Sequence, residues 1–287
     1  TRKSTELDLM NTLLEYQMKK MFLAILSGIL LMTAPAHAMS NPSKSVPPKQ
    51  IPDRQKQQVV SPYKFAVGAQ YSRVRQFAHK MPSYNGNLGG TFAEFEYKKR
   101  NSFYADATFL WNWGSLHADG NPTTGVNEGI WEGDLGGSYS WGDRNCWTIT
   151  AFTGFGYRRY VNDFDATSQT APITIEYQNY FVPVGFKLNY DITQDWRMCL
   201  NAKVLPSVDE KLYVYSATGT YWRQARKPSC VVDLPITWST NVFNSSFLEV
   251  SAVPFFRFWQ LGSSEILGFP TWKQIYWGAQ ANVGLTF

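Results

Sequence analysis

Beyond residue 38 the chain holds two histidines, His79 and His117. His117-Ala118-Asp119 sets an imidazole beside a carboxylate, the pairing that general-base chemistry needs. Both histidines fall in expected loops, where exposed polar side chains are the ordinary occupants. No Ser–His spacing stands out, so no catalytic residue is assigned and a non-enzyme is expected. Cys146, Cys199 and Cys230 do not cluster with histidine, so neither a metal site nor a cofactor is expected. Cys146 and Cys199 face one side of non-neighbouring strands, about 9–10 Å apart, beyond disulfide reach.

The other candidates are charges that recur at a spacing of two. Glu94, Glu96, Asp106, Glu132 and Asp134 come first, followed by Arg158, Lys187, Arg197 and Lys203, then by Asp233, Glu249 and Arg257. Each occupies the polar position of an apolar/polar alternation, the signature of a strand with one greasy and one wet face. An acidic arc and a basic arc would face each other if those strands close on themselves.

The elements that must position them begin after residue 38. Lys19 and Lys20, the apolar run Phe22–Met32 and Ala36-His37-Ala38 form, in order, the three parts of a secretory signal peptide over 18–38. Residues 1–17 read as a segment upstream of the true start at Met18. Without the four basic and three acidic residues of 1–38, 23 basic and 19 acidic remain, a net charge of +4. Residues 39–62, rich in proline and lysine, carry +3 of it and read as a flexible linker. The segment 63–287 is therefore almost neutral, and the basic balance gives no reason to expect nucleic acid.

Ten alternating runs follow: 63–74, 88–97, 103–114, 128–141, 146–160, 175–190, 196–208, 229–239, 246–259 and 273–287. Each is long enough to cross a bilayer core as a tilted strand. The connections alternate between short and long, with KKRNS, GDRN, DITQD and TNVFN as the short ones. A count of twelve follows instead if 212–221 makes its own hairpin. Aromatics fall at the run ends: Tyr63, Tyr97, Phe103, Trp141, Trp147, Tyr190, Trp196, Trp238 and Phe287 toward the short turns, and Tyr71, Trp113, Tyr157, Tyr180, Phe258 and Trp277 toward the long loops. Two aromatic rings flanking an apolar outer band belong to a membrane wall. Pro183, Pro206, Pro235 and Pro254 break the pattern, because each removes a ladder hydrogen bond. The phase also slips near Gln178–Asn179, where Ile175 and Tyr177 give way to Tyr180 and Val182, and a bulge is expected there.

The signal peptide, the short/long rhythm and a last strand ending on Phe287 resemble bacterial outer-membrane β-barrel proteins. The Trp- and Cys-bearing strands also resemble the outer-membrane proteins of chlamydia-like bacteria. The resemblance implies an all-β fold, a closed antiparallel transmembrane barrel of about ten strands in the bacterial outer membrane. It implies lipid and lipopolysaccharide as surroundings, and Phe287 as part of the signal read by the barrel-assembly machinery. The omptins, ten-stranded outer-membrane proteases, use Asp–His and Asp–Asp pairs at the outer rim, but their Asp-x-His pattern is absent here. Ten strands give a backbone diameter of roughly 20 Å, most of it consumed by side chains. The charges then either pair and plug the lumen or leave a narrow pore for small polar solutes. Three functions follow in order: a narrow porin-like channel or structural wall protein, as the alternative an adhesin or ligand-binding barrel, and last an omptin-like outer-membrane protease. The aromatic loops, with Phe77, Tyr84, Tyr213, Tyr215, Tyr221, Trp222, Phe269 and Trp272, would bind a surface partner or fold over the mouth.

Overall fold

The computed structural model describes residues 62–78, 81–118, 123–142, 146–166, 172–215, 220–243, 246–263 and 270–287. The segments 1–17 and 18–38, the linker apart from Pro62, and His79, Asp119 and Phe269 lie outside the described residues. Fourteen strands form: β1 (Tyr63–Ala78), β2 (Tyr84–Lys98), β3 (Phe103–His117), β4 (Thr124–Trp141), β5 (Trp147–Phe164), β6 (Ile173–Phe181), β7 (Val184–Asp191), β8 (Trp196–Leu205), β9 (Ser207–Tyr215), β10 (Thr220–Arg223), β11 (Ser229–Asp233), β12 (Ile236–Phe243), β13 (Ser246–Leu261) and β14 (Trp272–Thr286). They make ten walls, because β6–β7, β8–β9 and β10–β11–β12 each run end to end. All pairings are antiparallel, and β14 bonds to both β13 and β1, which closes the barrel.

Proline explains the interruptions. β5 keeps one register with β6 and β7 across Pro183, from Gly156↔Phe181 to Thr153↔Val184. β8 keeps one register with β11 and β12 across Pro235. Each proline lacks its N–H, but its carbonyl still accepts: Gly154 N–H donates to Pro183 O (3.1 Å), Val182 to Pro206 (3.0 Å), Cys199 to Pro235 (2.8 Å) and Leu234 to Pro254 (2.9 Å). One ladder bond is lost per proline while the wall stays intact.

The expected slip at Gln178–Asn179 is not found. β6 and β7 alternate without a break from Thr174 to Asp191, with Ile175 and Tyr177 pointing inward and Tyr180 outward. The irregularity lies opposite, in β9, where Tyr180↔Asp209 is followed by Phe181↔Ser207 and Val208 is the extra residue. The 212–221 hairpin does form, as β9 paired with β10, but it extends existing walls on the loop side and adds none to the ten.

The outward faces carry the two aromatic rings. On the turn side Phe287, Tyr63, Tyr97 and Phe103 follow one another at ring spacings of 5.1–6.3 Å, and Trp141, Trp147 and Tyr190 continue the belt. On the loop side Tyr71, Trp113 and Trp277 are exposed, and Trp131 and Phe155 join them. Phe258 does not belong to this ring, since it is buried. Between the rings exposed Val67, Leu135, Val250 and Val283 give an apolar band, the surface a lipid environment rewards.

Candidate functional site

The interior divides into two halves. On the turn side is a chamber of about 810 Å3, reaching the rim where exposed Lys99 and Arg100 border it. Eleven of the twelve charges read from the sequence line it: Glu94, Glu96, Asp106, Glu132, Asp134, Lys187, Arg197, Lys203, Asp233, Glu249 and Arg257. Arg158 does not; it lies deeper toward the loop side.

Alternation places Glu94, Glu96 and Asp106 inward on β2 and β3, and Lys187 inward on β7, several walls away. Lys187 reaches across to all three, with Nζ 2.8 Å from Asp106 Oδ2, 3.0 Å from Glu96 Oε2 and 3.6 Å from Glu94 Oε1. The three carboxylates converge closely enough to hold a metal ion. The ammonium of Lys187 already sits among them and supplies the positive charge. Lys203 on β8 likewise bonds Glu132 on β4. Lys64 pairs with Glu94 at 3.1 Å and lies 3.8 Å from Glu249. Arg197 pairs with Asp191 at the rim, at 2.7 Å. Arg257 donates to Gln70 Oε1 at 3.2 Å, and Asp233 accepts from Asn201 at 3.1 Å. Such pairing is what makes enclosed charge tolerable.

Above the chamber the interior is filled. Arg158 and Glu128 are each 1% exposed. Arg158 Nε donates to Glu128 Oε1 (2.6 Å), and its Nη2 donates across the lumen to Gln274 Oε1 (2.6 Å) and the Tyr276 hydroxyl (3.0 Å). Its guanidinium lies 4.2 Å from the Trp259 ring centre and 4.9 Å from that of Tyr160. Tyr160 donates to Gln76, and Asn112 bridges Gln70 and Glu128, so the network ties β1, β3, β4, β5, β13 and β14 together. Packed around it are Val74, Tyr84, Leu88, Leu116, Val126, Tyr177, Phe181, Leu205, Leu212, Leu261 and Trp272. Sequence reasoning missed Glu128 although it shares the even-numbered phase of Glu132 and Asp134. Tyr84 and Trp272, read as loop aromatics, are buried strand residues of this plug. Tyr213, Tyr215 and Trp222 likewise belong to strands, β9 and β10, that lengthen the walls.

The remaining chemistry is modest. His117 is exposed, with Nδ1 3.0 Å from Thr123 Oγ1 and Nε2 3.5 Å from Ser115 Oγ. Cys146, Cys199 and Cys230 are free thiols. Phe287 donates its N–H to Tyr63 O at 2.9 Å, which fastens the end of β14 to the start of β1.

No protein-family model matches the sequence, and no curated protein matches it either. Among solved structures, the outer membrane protease OmpT from Escherichia coli superposes with a TM-score of 0.52 at 9% identity, covering 80% of this chain and 98% of that one. The β domain of the Bordetella autotransporter BrkA gives a TM-score of 0.41 at 12% identity, covering 78% and 99%. Ail, the attachment invasion locus protein of Yersinia pestis, gives 0.31 at 7%, covering 76% and 97%. At these identities the likeness to OmpT establishes the closed antiparallel barrel fold and nothing about activity.

Proposed function

We propose that this chain is an integral outer-membrane barrel of structural type, non-enzymatic and non-conducting, with its long loops outside and its chamber facing the periplasm. The observation that carries this reading is the plug. Arg158 spans the lumen from Glu128 to Gln274 and Tyr276, and an apolar core packs against it. A path for ions needs a continuous water column, and a half filled by packed side chains supports closure over conduction. The two aromatic rings and the apolar band support the membrane location. The finer likeness to outer-membrane proteins of chlamydia-like bacteria rests on the Trp- and Cys-bearing strands alone.

Planar-bilayer recording on the refolded barrel tests the reading. The expected trace is flat across a broad voltage range. Reproducible unitary steps would return the narrow-pore reading to first place.

A further inference from the structure

Just beyond the loop-side aromatic ring, β1 turns two arginines outward, Arg73 and Arg75. Both are exposed, and no carboxylate lies within 4 Å of either among the described residues. The outward positions in register beside them are Trp277 and Asn87 for Arg73, and Ile275 and Asn85 for Arg75, none of them acidic. On the far side of the barrel two cations beyond the ring are matched, whereas Arg223, beside Lys211 on β10, has no ion pair among the described residues. Arg159 pairs with Glu176 at 2.8 Å, and Lys211 pairs with Asp209 at 3.3 Å. Among the described residues Arg73 and Arg75 are thus two outward cations on one strand face with no carboxylate beside them, a place for an anion from outside.

Both guanidiniums are held in place. Arg73 lies 5.8 Å from the Trp277 ring centre, and Arg75 lies 5.6 Å from that of Phe77 while donating to Ser83 Oγ at 3.3 Å. Beneath them the barrel surface opens. Gly89 sits between Tyr71 on β1 and Trp113 on β3, in register with both. A methyl group placed on Gly89 would meet nothing within 4 Å. Two strand spacings, about 9–10 Å, separate the flanking aromatics, which leaves a slot over β2 wide enough for a single acyl chain.

We propose that Arg73, Arg75 and the Gly89 slot form a binding site for a phosphomonoester-bearing lipid of the outer leaflet, with phosphate on the guanidiniums and one acyl chain over Gly89. The planar fork of arginine matches phosphate oxygens, and two unopposed positive charges match a dianionic phosphomonoester better than a monoanionic diester. The height agrees, since headgroups lie at the level of and just beyond the aromatic belt. This site rests on the membrane reading of the outer face given above.

The test is native mass spectrometry of the full chain refolded in detergent and exposed to one lipid at a time. The probes are lipid A, its dephosphorylated form, phosphatidylglycerol and inorganic phosphate. The site predicts retention of one lipid A at least tenfold above the dephosphorylated form and above phosphatidylglycerol. The double variant R73Q/R75Q abolishes that preference, and Gly89→Leu lowers lipid A retention without altering the phosphate contacts. Arg159→Gln, on the far side, leaves retention unchanged. Equal retention of phosphatidylglycerol, indifference to R73Q/R75Q, or lipid A retention unchanged in Gly89→Leu overturns the site. Heat-modifiable gel mobility is recorded alongside. A chain that stays dispersed without detergent overturns the membrane reading itself, whereas a folded barrel that retains no lipid A overturns only the site.

Discussion

Lys187 stretches across an interior where three carboxylates have no other cation as close, apart from Lys64 beside Glu94. Its replacement by Met removes the ammonium bonded to Asp106 and Glu96 and leaves Glu96 only the more distant Lys64 and Lys98, a change that costs up to roughly 3–5 kcal/mol in comparable buried pairs. Urea unfolding in detergent should show the midpoint of Lys187→Met falling sharply, with Lys187→Arg restoring much of it. An unshifted midpoint would mean that water already solvates these groups. Glu210 gives a second test at this scale. It lies inward on β9, one residue to the loop side of the Tyr180 level, beyond the outer aromatic ring. It is buried with Oε1 accepting the Gly262 N–H at 2.8 Å and Oε2 without a partner. Burial pushes its carboxyl from 4.5 up to about 7. An acid raised on folding leaves stability whole below about pH 4.5, then erodes it as pH rises toward 7, because the unfolded chain releases the proton first. The loss by pH 8 is about 3 kcal/mol. Glu210→Gln should flatten that slope between pH 5 and 8 in urea titrations, and an unchanged slope would place the titration elsewhere.

Among elements, the prolines divide the barrel into unequal halves. Walls β1 to β5 carry uninterrupted ladders, whereas Pro183, Pro206, Pro235 and Pro254 fall in adjacent walls, each in a pair that keeps only one of two hydrogen bonds. A ladder thinned in this way opens locally more often. The amides of Gly154, Val182, Cys199 and Leu234 should therefore exchange with deuterium faster than those at similar height in β2 and β3. Equal protection around the barrel would show that the prolines leave local stability untouched. The same elements show what was legible in the sequence. Ten walls were readable because inside a membrane apolar means outward, a rule the third and seventh runs obey along their length. Beyond the loop-side ring the rule reverses: on β6 Thr174, Glu176 and Gln178 face out while Ile175 and Tyr177 pack inward. Along β6 and β7 the backbone does not slip, the extra residue being Val208 on β9; the solvent changes, and that reversal looked like a bulge in β6. The charged chamber was legible for the same reason, since one phase sorted its side chains. The plug was not, because its parts come from six strands far apart in sequence, and alternation says which way a side chain points, never what it meets across the lumen.

For the whole molecule the decisive property is polarity along the barrel axis. One half holds a chamber lined by charge that reaches the turn-side rim, and the other is packed with Trp259, Tyr160, Leu212 and Trp272 around a bridged arginine. A uniform pore would admit a reagent from either end, whereas this barrel should admit it from one. Cys199 supplies a native reporter, since it lines the chamber on β8. Cys230 points to the outer face and Cys146 sits at the turn-side rim, so replacing both with Ser isolates the Cys199 signal. With the barrel in liposomes of known orientation, a small charged thiol reagent should modify Cys199 from the turn side and leave it intact from the loop side. Loosening the plug by Trp259→Ala should then let loop-side reagent through, if the barrel stays folded by heat-modifiable mobility. Equal labelling from both sides in the unaltered plug would mean that water crosses between Arg158 and Gln274, and the closed wall protein would have to be read again as a channel.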